Sequence, residues 1–192
     1  MLISCDREKL INAIVYFVAT TKHCHTLKLF KLLNLLDFEH FRQAGRTVTG
    51  LSYRALPMGP VPTALLQEFQ RGGDADLKQS VGLIEIKDEF TDELMRRDIK
   101  PKVKFNPKLF TKRELAIMNR LSEFFVDLRG EDMSELSHWK RLPWFKVYGR
   151  GEGQGRAIPP ELALDSERIV HDAPTMDKAE IQYRKELLEG LS

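Results

Sequence analysis

The chain has 192 residues, which is the usual size of a single folded domain. Apolar residues make up 42% and charged residues 30%, which excludes a wholly disordered or fibrous protein and allows a sizeable core. The net charge is +2, and basic and acidic residues are interspersed from end to end, so no field of one sign can steer the chain onto DNA or anionic lipid.

The N-terminal region gives no sign of export or of a membrane anchor. No apolar run approaches the roughly 20 residues that span a bilayer, and Asp6 and Glu8 stand where a signal peptide carries positive charge. We therefore expect a cytoplasmic protein. Cys5 and Cys24 lie at opposite ends of the first predicted helix, so we expect no disulfide between them.

Two helices are predicted first. Asp6 can cap a helix whose apolar residues recur at three- and four-residue spacing to about Thr21. Thr26 can cap a second helix, so apolar that it must be central, and Gly45 ends it. The second helix keeps only a narrow polar stripe near Lys28, Lys31 and Asn34.

The middle of the chain mixes short strands with helices. Residues 46–62 predict a short strand followed by a rigid turn at residues 59–62, and Pro62 can open a third helix that Gly72 and Gly73 stop. Residues 81–86 and 99–105 predict a strand pair joined by an acidic loop.

A capping box and a glycine run mark the second half. Thr111 and Glu114 have capping-box spacing and begin a helix whose apolar seam is closed by Gly130. A short helix is predicted at residues 133–140 and a charged amphipathic helix at residues 177–188. Between them, the glycine-rich residues 149–155 predict a flexible break.

The predicted fold is therefore mostly α with a small β element, in which one short antiparallel strand pair joins a compact helical domain. We expect that domain to occupy residues 1–148. Residues 149–192 would form a glycine-rich loop and a C-terminal extension with a terminal helix. Basic residues concentrate at residues 96–108, where aromatic interleaving is almost absent, so a solvated strand and loop is favoured over nucleic-acid contact.

The sequence offers no motif that predicts a metal or cofactor. His23, Cys24 and His25 are possible zinc ligand types, but adjacent residues point apart and no second ligand pair has metal-site spacing. The glycines of residues 149–155 lack the strand, the Gly-Lys-Ser/Thr ending and the following helix of a phosphate loop.

No catalytic constellation is evident either. His40, His138 and His171 lack a motif that would mark a triad, although partners can meet in space without one. Asp37 and Glu39 are two residues apart on the second helix and face different directions, so we interpret both as helix-surface residues.

An aromatic cluster begins in the last turn of the predicted helix at residues 133–140 and continues after it. Tryptophan and tyrosine beside arginine are enriched at protein interfaces, but the same residues also pack in cores, and the sequence leaves both interpretations open. The cluster consists of Trp139, Trp144, Phe145 and Tyr148.

The order and spacing of several segments resemble one known family. They are residues 31–41 (KLLNLLDFEHF), Gly45-Arg46, Thr49-Gly50-Leu51, Tyr53-Arg54-Ala55 and residues 59–62 (GPVP), followed by Leu136-Ser137-His138, Trp144 and Ile158-Pro159. This pattern resembles the Panacea domain of SocA-like and GepA-like antitoxins over most of residues 6–164. Asn34 stands where we expect an aromatic residue, and it predicts a buried amide that needs partners.

The resemblance implies an antitoxin from a bacterium, a phage or another mobile element. Its partner would be a protein toxin encoded by a neighbouring gene and neutralised by direct binding, with no cofactor and no enzymatic activity. Some members of the family present the toxin to an ATP-dependent protease. Others add a DNA-binding segment, and since no added helix-turn-helix is evident, nucleic-acid binding is disfavoured. The oligomeric state stays open, a homodimer included.

The partner-binding candidates are Tyr53, Arg54, His138, Trp139, Trp144, Tyr148 and Arg150. One rival interpretation is an enzyme or small-molecule binder built around His138 and Trp139, with residues 149–155 as a lid. Another is a proteolytic adaptor or an interaction protein of a phage or mobile element. It differs from a sequestering antitoxin chiefly in whether the bound partner is degraded.

Overall fold

The computed structural model describes residues 3–130, 133 and 142–166. Within these ranges the chain is mostly helical with two small antiparallel sheets, which confirms the expected fold class. The helices predicted at residues 133–140 and 177–188 lie outside the described residues, apart from the buried Met133. No helix in the described part of the chain is both long enough and apolar enough to cross a membrane.

Helix α1 spans Ile3–Thr20 and packs against the helices at Thr26–Ala44 and Lys112–Phe124 and the strand at Leu94–Pro101. The predicted start is wrong, because the helical backbone begins at Ile3 and Asp6 lies inside the helix instead of capping it. Its buried apolar residues recur at helical spacing, as the sequence indicates, and run from Leu10 to Val18.

Helix α2 spans Thr26–Ala44 and is the central element. His25 takes the N-cap position, so the helix begins at Thr26 itself. Its end is as predicted: Gly45 adopts a left-handed φ of 66°, and its amide donates to the Phe41 carbonyl over 2.7 Å.

The predicted polar stripe on α2 is wrong for its two lysines. Lys28 is fully buried and Lys31 is 3% exposed. The Lys28 ammonium donates to the Lys22 carbonyl (2.6 Å) and the Val126 carbonyl (3.2 Å), and Lys31 donates to the Gly130 carbonyl (2.8 Å). These bonds satisfy buried charge with backbone acceptors and tie α2 to the segment that contains Val126 and Gly130.

Strands β1 (Tyr53–Leu56) and β2 (Gly59–Val61) form a tight antiparallel hairpin, with Arg54 opposite Val61 and Leu56 opposite Gly59. The prediction that residues 59–62 form only a turn is therefore wrong. The turn lies between Leu56 and Gly59, and the following residues pair with β1. Pro62 then caps α3 (Thr63–Gln70), so the predicted third helix is confirmed.

Gly72 and Gly73, with φ values of 84° and 91°, separate α3 from a short helix that the sequence did not reveal. In this helix, α4 (Ala75–Ser80), Leu77 alone is buried, and it is fully buried. A six-residue helix with one buried apolar side chain has no hydrophobic periodicity, so the sequence pattern does not predict it.

The predicted strand pair is present as β3 (Val81–Lys87) and β4 (Leu94–Pro101), but the predicted bounds of the second strand are wrong. β4 begins five residues before residue 99 and ends at Pro101, so Val103 and Phe105 follow the strand. The strands are antiparallel, with Val81 opposite Pro101 and Leu83 opposite Ile99. Val81 and Ile99 are buried at the base of this hairpin, which packs on α1, α2 and α4.

Helix α5 spans Lys112–Phe124 and has the predicted capping box. Thr111 Oγ1 accepts from the Glu114 amide (3.3 Å), and the Glu114 carboxylate accepts from the Thr111 amide (2.6 Å). The helix ends at Phe124, earlier than predicted, because the Val126 carbonyl accepts from the Lys22 amide and the Lys28 ammonium.

The chain then returns to the first hairpin. Helix α6 (Pro143–Tyr148) contacts β1, and β5 (Ala157–Ile158) pairs antiparallel with β1 on the side opposite β2. A short 3-10 helix, Pro160–Ala163, packs on α2. Arg42 of α2 fastens it, because its Nε donates to the Ala163 carbonyl over 2.9 Å.

Two large clusters of buried apolar side chains organise the described part of the chain, and Phe41 and Leu164 form a small third one. The main core joins α1, α2, α5 and the base of the β3–β4 hairpin around Ile14, Phe17, Leu29, Leu33, Met118 and Phe125. The second core joins α2, the three-stranded sheet, α6 and the 3-10 helix through Phe38, Tyr53, Ala55, Trp144, Ile158 and Ala163.

Candidate partner-binding surface

The second core is positioned by a buried carboxylate on α2. Asp37 Oδ1 accepts from the amides of Val48 and Thr49, both at 2.8 Å. Its Oδ2 accepts from the Tyr53 hydroxyl at 2.8 Å and from the Thr49 hydroxyl. Asp37 thereby holds the loop before β1 and the first residue of β1 against α2.

Burial decides the acid–base behaviour of this carboxylate. Removal from water raises the pKa of Asp37 to about 6, although the four donated hydrogen bonds oppose the rise. Burial, followed by the adjacent Asp37 charge, also raises the pKa of Tyr53, so its hydroxyl stays a donor.

The interpretation of Asp37 as a helix-surface residue is thus wrong. It is fully buried, because α2 is covered on the side that carries Asp37 by the loop that follows the helix. Glu39 is half-buried and accepts from the Arg42 guanidinium (2.7 Å) and the Gln43 amide nitrogen (2.8 Å). No local sequence pattern indicates the Asp37 site, since the hydrogen-bond partners of Asp37 lie 11 to 16 residues further along the chain.

Strand alternation places Tyr53 inward and Arg54 outward. The exposed Arg54 donates from Nη1 to the Gly155 carbonyl over 2.8 Å, and the Gly155 amide donates to the Ala55 carbonyl over 2.7 Å. These two bonds join the end of the glycine run to β1.

Residues 149–155 form consecutive hydrogen-bonded turns where the sequence predicts a flexible break. The Glu152 carboxylate accepts from the Arg150 amide over 2.8 Å and closes the first turn. Gly153 is packed so tightly that a Cβ would lie 1.7 Å from the Val147 carbonyl oxygen. The glycines therefore permit close backbone approach here as well as turning.

Helix α6 contributes the aromatic side chains. Trp144 is 4% exposed, and its Nε1 donates to the Leu56 carbonyl over 2.9 Å. Tyr148 is half-buried and stacks on Trp144 with ring centroids 4.5 Å apart. Core packing thus describes Trp144, while Tyr148 has part of its ring at the surface.

The described candidates are grouped in one region. Tyr53 and Trp144 share the second core, Tyr148 covers Trp144, and the exposed Arg54 and Arg150 lie beside and within the glycine run. His138 and Trp139 lie outside the described residues. We name the exposed parts of Arg54, Tyr148 and Arg150 the β1–α6 surface.

The His23-Cys24-His25 loop shows no metal geometry. In residues 3–130, 133 and 142–166, no three histidine, cysteine or acidic side chains come together as ligands. Cys24 is a free, buried thiol whose pKa is raised by burial to about 11, so it is protonated at neutral pH.

Asn34 carries a buried amide nitrogen, as the sequence predicts. Its Nδ2 is buried, and it has no hydrogen-bond partner among the described residues. The amide therefore carries a desolvation cost in α2 that an aromatic side chain at this place would avoid.

One comparison with known proteins gives a result. The sequence model of the family described as "Antitoxin SocA-like, Panacea domain" matches residues 29–145, which is more than half of the chain. The chain belongs to this family. The match runs from α2 into α6 and includes Asp37, Tyr53 and Trp144. The resemblance seen in the sequence is confirmed, and no curated protein or solved structure gives a significant match.

Proposed function

We propose that this Panacea-domain protein is the antitoxin of a bacterial or phage toxin–antitoxin pair. It binds a protein toxin encoded by a neighbouring gene and neutralises it in the cytoplasm by direct contact, without catalysis. The observation that carries the proposal is membership of the SocA-like antitoxin family over residues 29–145.

The β1–α6 surface suits this role because rigid elements present its side chains. Arg54 is anchored to the Gly155 carbonyl, and Tyr148 is stacked on a buried tryptophan. Little side-chain freedom then remains to be lost on binding, which favours affinity. Tyrosine and arginine are also the residue types that dominate interface energies.

The first experiment expresses the neighbouring gene with and without this chain. Growth arrest by the neighbour alone, relieved by co-expression, is the expected result. A harmless neighbour, or arrest that co-expression leaves unchanged, contradicts the proposal.

The second experiment tests the surface with a matched pair of charge reversals. Arg150→Glu should weaken rescue and binding of the purified partner, because it reverses an exposed charge on the β1–α6 surface. Arg71→Glu reverses a charge that is also exposed, directly after α3, and should leave rescue and binding unchanged. Equal effects of the two variants would exclude the β1–α6 surface as the specific contact.

The half-life of the partner separates sequestration from delivery to an ATP-dependent protease. Sequestration predicts the same partner half-life with and without this chain. A shortened half-life would identify the chain as a proteolytic adaptor.

A further inference from the structure

The distal half of the β3–β4 hairpin is exposed, unlike its base. Beyond the Glu85 and Arg97 pair, the residues from Ile86 to Met95 are half-buried or exposed in the chain. The register shifts there, since Ile86 lies opposite Arg96 and Lys87 opposite Leu94, which leaves Met95 as an extra residue. Such a bulge re-aims side chains at the end of a strand. We name residues 87–95 the hairpin tip.

The tip is held in one conformation by Asp88. Its Oδ1 accepts from the amides of Phe90 and Thr91, both at 2.9 Å, and from the Thr91 hydroxyl at 3.2 Å. The Asp88 amide donates to the Glu93 carbonyl over 2.9 Å. The backbone hydrogen bonds from Thr91 and Phe90 lower the pKa of Asp88, so the carboxylate that closes this turn is ionised at neutral pH.

A second contact closes the turn across its base. The Lys87 ammonium lies 3.0 Å from the Asp92 carboxylate, and the Asp92 amide donates to the Asp88 carbonyl over 3.1 Å. Asp92 adopts a left-handed φ of 55° there, which aspartate tolerates better than most residues. The tip is thus organised by its own hydrogen bonds before any partner binds.

This ordered turn displays an apolar side chain to water. Phe90 is 95% exposed, and the neighbouring Met95 is 68% exposed. Phenylalanine and methionine are enriched at protein interfaces, and the described part of the chain has no other large apolar side chain as exposed as Phe90. A rigid turn that presents an unburied aromatic ring has the form of an interface anchor.

The charge around the Phe90 ring indicates the kind of partner that would bind the hairpin tip. Residues 87–93 carry four acidic side chains and one basic side chain, a net charge of −3 in a chain of net charge +2. A nucleic acid or an anionic membrane would be repelled by this tip. A protein pocket with an apolar floor and a rim of lysine and arginine complements both its ring and its charge.

We propose that the hairpin tip is a docking element that inserts Phe90 into a basic-rimmed apolar pocket of the cognate toxin. This proposal rests on the proposed antitoxin function and assigns it a second contact, separate from the β1–α6 surface. The rigidity of the turn supports affinity because it leaves little conformational entropy to lose.

The test measures the affinity of the purified neighbouring gene product for the full chain. Phe90→Ala should weaken binding by about 30-fold, the effect of a typical interface anchor. Phe124→Ala is the matched control, since Phe124 is an aromatic side chain on α5 that is 51% exposed. The affinity of this control variant should equal that of the wild type. Equal affinity of Phe90→Ala and the wild type overturns the proposal.

The charge of the tip is tested separately with the double variant Glu89→Lys and Glu93→Lys. The double variant should associate with the same gene product at least several-fold more slowly than the wild type at low salt. This difference in association rate should shrink at high salt. Faster association, or no dependence on salt, overturns the basic-rim assignment. Both glutamates are exposed, so the unfolding midpoint should not change and serves as the check of folding.

Three outcomes separate this proposal from others. A wild-type chain that dimerises while Phe90→Ala stays monomeric would assign the tip to a second copy of the chain and overturn the toxin assignment. A wild-type chain that neither binds nor rescues overturns the antitoxin function as well. Intact rescue and binding by Phe90→Ala overturns the docking element alone.

Discussion

Asp37 and Asp88 perform the same task in two different surroundings. Each carboxylate accepts from two consecutive backbone amides and from a threonine hydroxyl, and each thereby fixes the turn that follows it. Asp37 is fully buried and its pKa is raised, whereas the pKa of the solvated Asp88 is lowered. Hydrogen bonds favour the charged form in both, so solvation alone decides the direction of the shift.

The difference teaches where each carboxylate matters. Water can replace Asp88 as the partner of its amides, so its loss affects only the local turn. No water reaches the donors that surround Asp37, so its loss affects the whole second core. The predictions below test this contrast, beginning with the largest expected effect.

Asp37→Ala should lower the free energy of unfolding by about 3 kcal/mol or more. Two backbone amides and two hydroxyls would lose their acceptor inside the protein, and each unsatisfied buried donor costs about 1 to 3 kcal/mol. Urea unfolding measures the loss. A decrease of less than about 1 kcal/mol would show that water reaches this site, and the contrast with Asp88 would then fail.

The raised pKa of Asp37 makes its contribution depend on pH. The ordinary aspartate pKa is 3.8, and the folded value is about 6, so the folded protein holds a proton that the unfolded chain releases between these values. Asp37 therefore contributes stability in full below about pH 4, and that contribution is lost as the pH rises through about 6. The stability that this titration removes is on the order of 3 kcal/mol in total.

The comparison of the wild type with Asp37→Asn isolates this titration. The pKa values of Glu68, Asp76 and Glu114 are lowered, so their own contributions change with pH in the opposite sense in both proteins. The stability of the wild type relative to the variant should fall between about pH 4 and pH 7, as measured by urea unfolding at each pH. A difference that stays constant with pH would contradict the raised pKa.

Single hydroxyl deletions should have intermediate effects. Thr49→Val and Tyr53→Phe each remove one donor to Asp37 Oδ2 and keep the shape of the side chain. Each should cost about 1 to 2 kcal/mol, because the remaining donors still satisfy part of the carboxylate. Thermal unfolding compares the two variants. A loss as large as that of Asp37→Ala would mean that the network acts as a single unit.

Asp88→Ala should have the smallest effect on global stability. Its hydrogen bonds to the tip lie at the surface, and we expect the urea midpoint to stay at the wild-type value. The amides of Phe90 and Thr91 should exchange hydrogen faster, since they lose their acceptor. Unchanged exchange at both amides would show that the turn does not depend on Asp88.

The sequence predicts features whose determinants are close together along the chain. The capping box of Thr111 and Glu114, the left-handed Gly45 and the β3–β4 pair all have local signals, and the structure contains each of them. The family resemblance around residues 31–62 was also visible, because it depends on the order and spacing of motifs.

Features that depend on distant partners could not be predicted in this way. The two buried lysines of α2 are satisfied by carbonyls on a segment about 100 residues away, apart from one bond that Lys28 makes to Lys22. The order of residues 149–155 likewise depends on their bonds to β1. A lysine in a helix and a glycine run indicate a solvated face and a flexible loop until those partners are known.

The position of β5 has a consequence for shortened forms of the protein. A gene trimmed to the family-matched residues 29–145 would lose α1, β5 and the 3-10 helix that Arg42 holds. β1 would then present a bare strand edge, and Tyr53 would lose its neighbour Ile158. Unpaired strand edges and uncovered aromatic rings promote aggregation. We expect such a fragment to accumulate as insoluble material, whereas the full chain stays in solution.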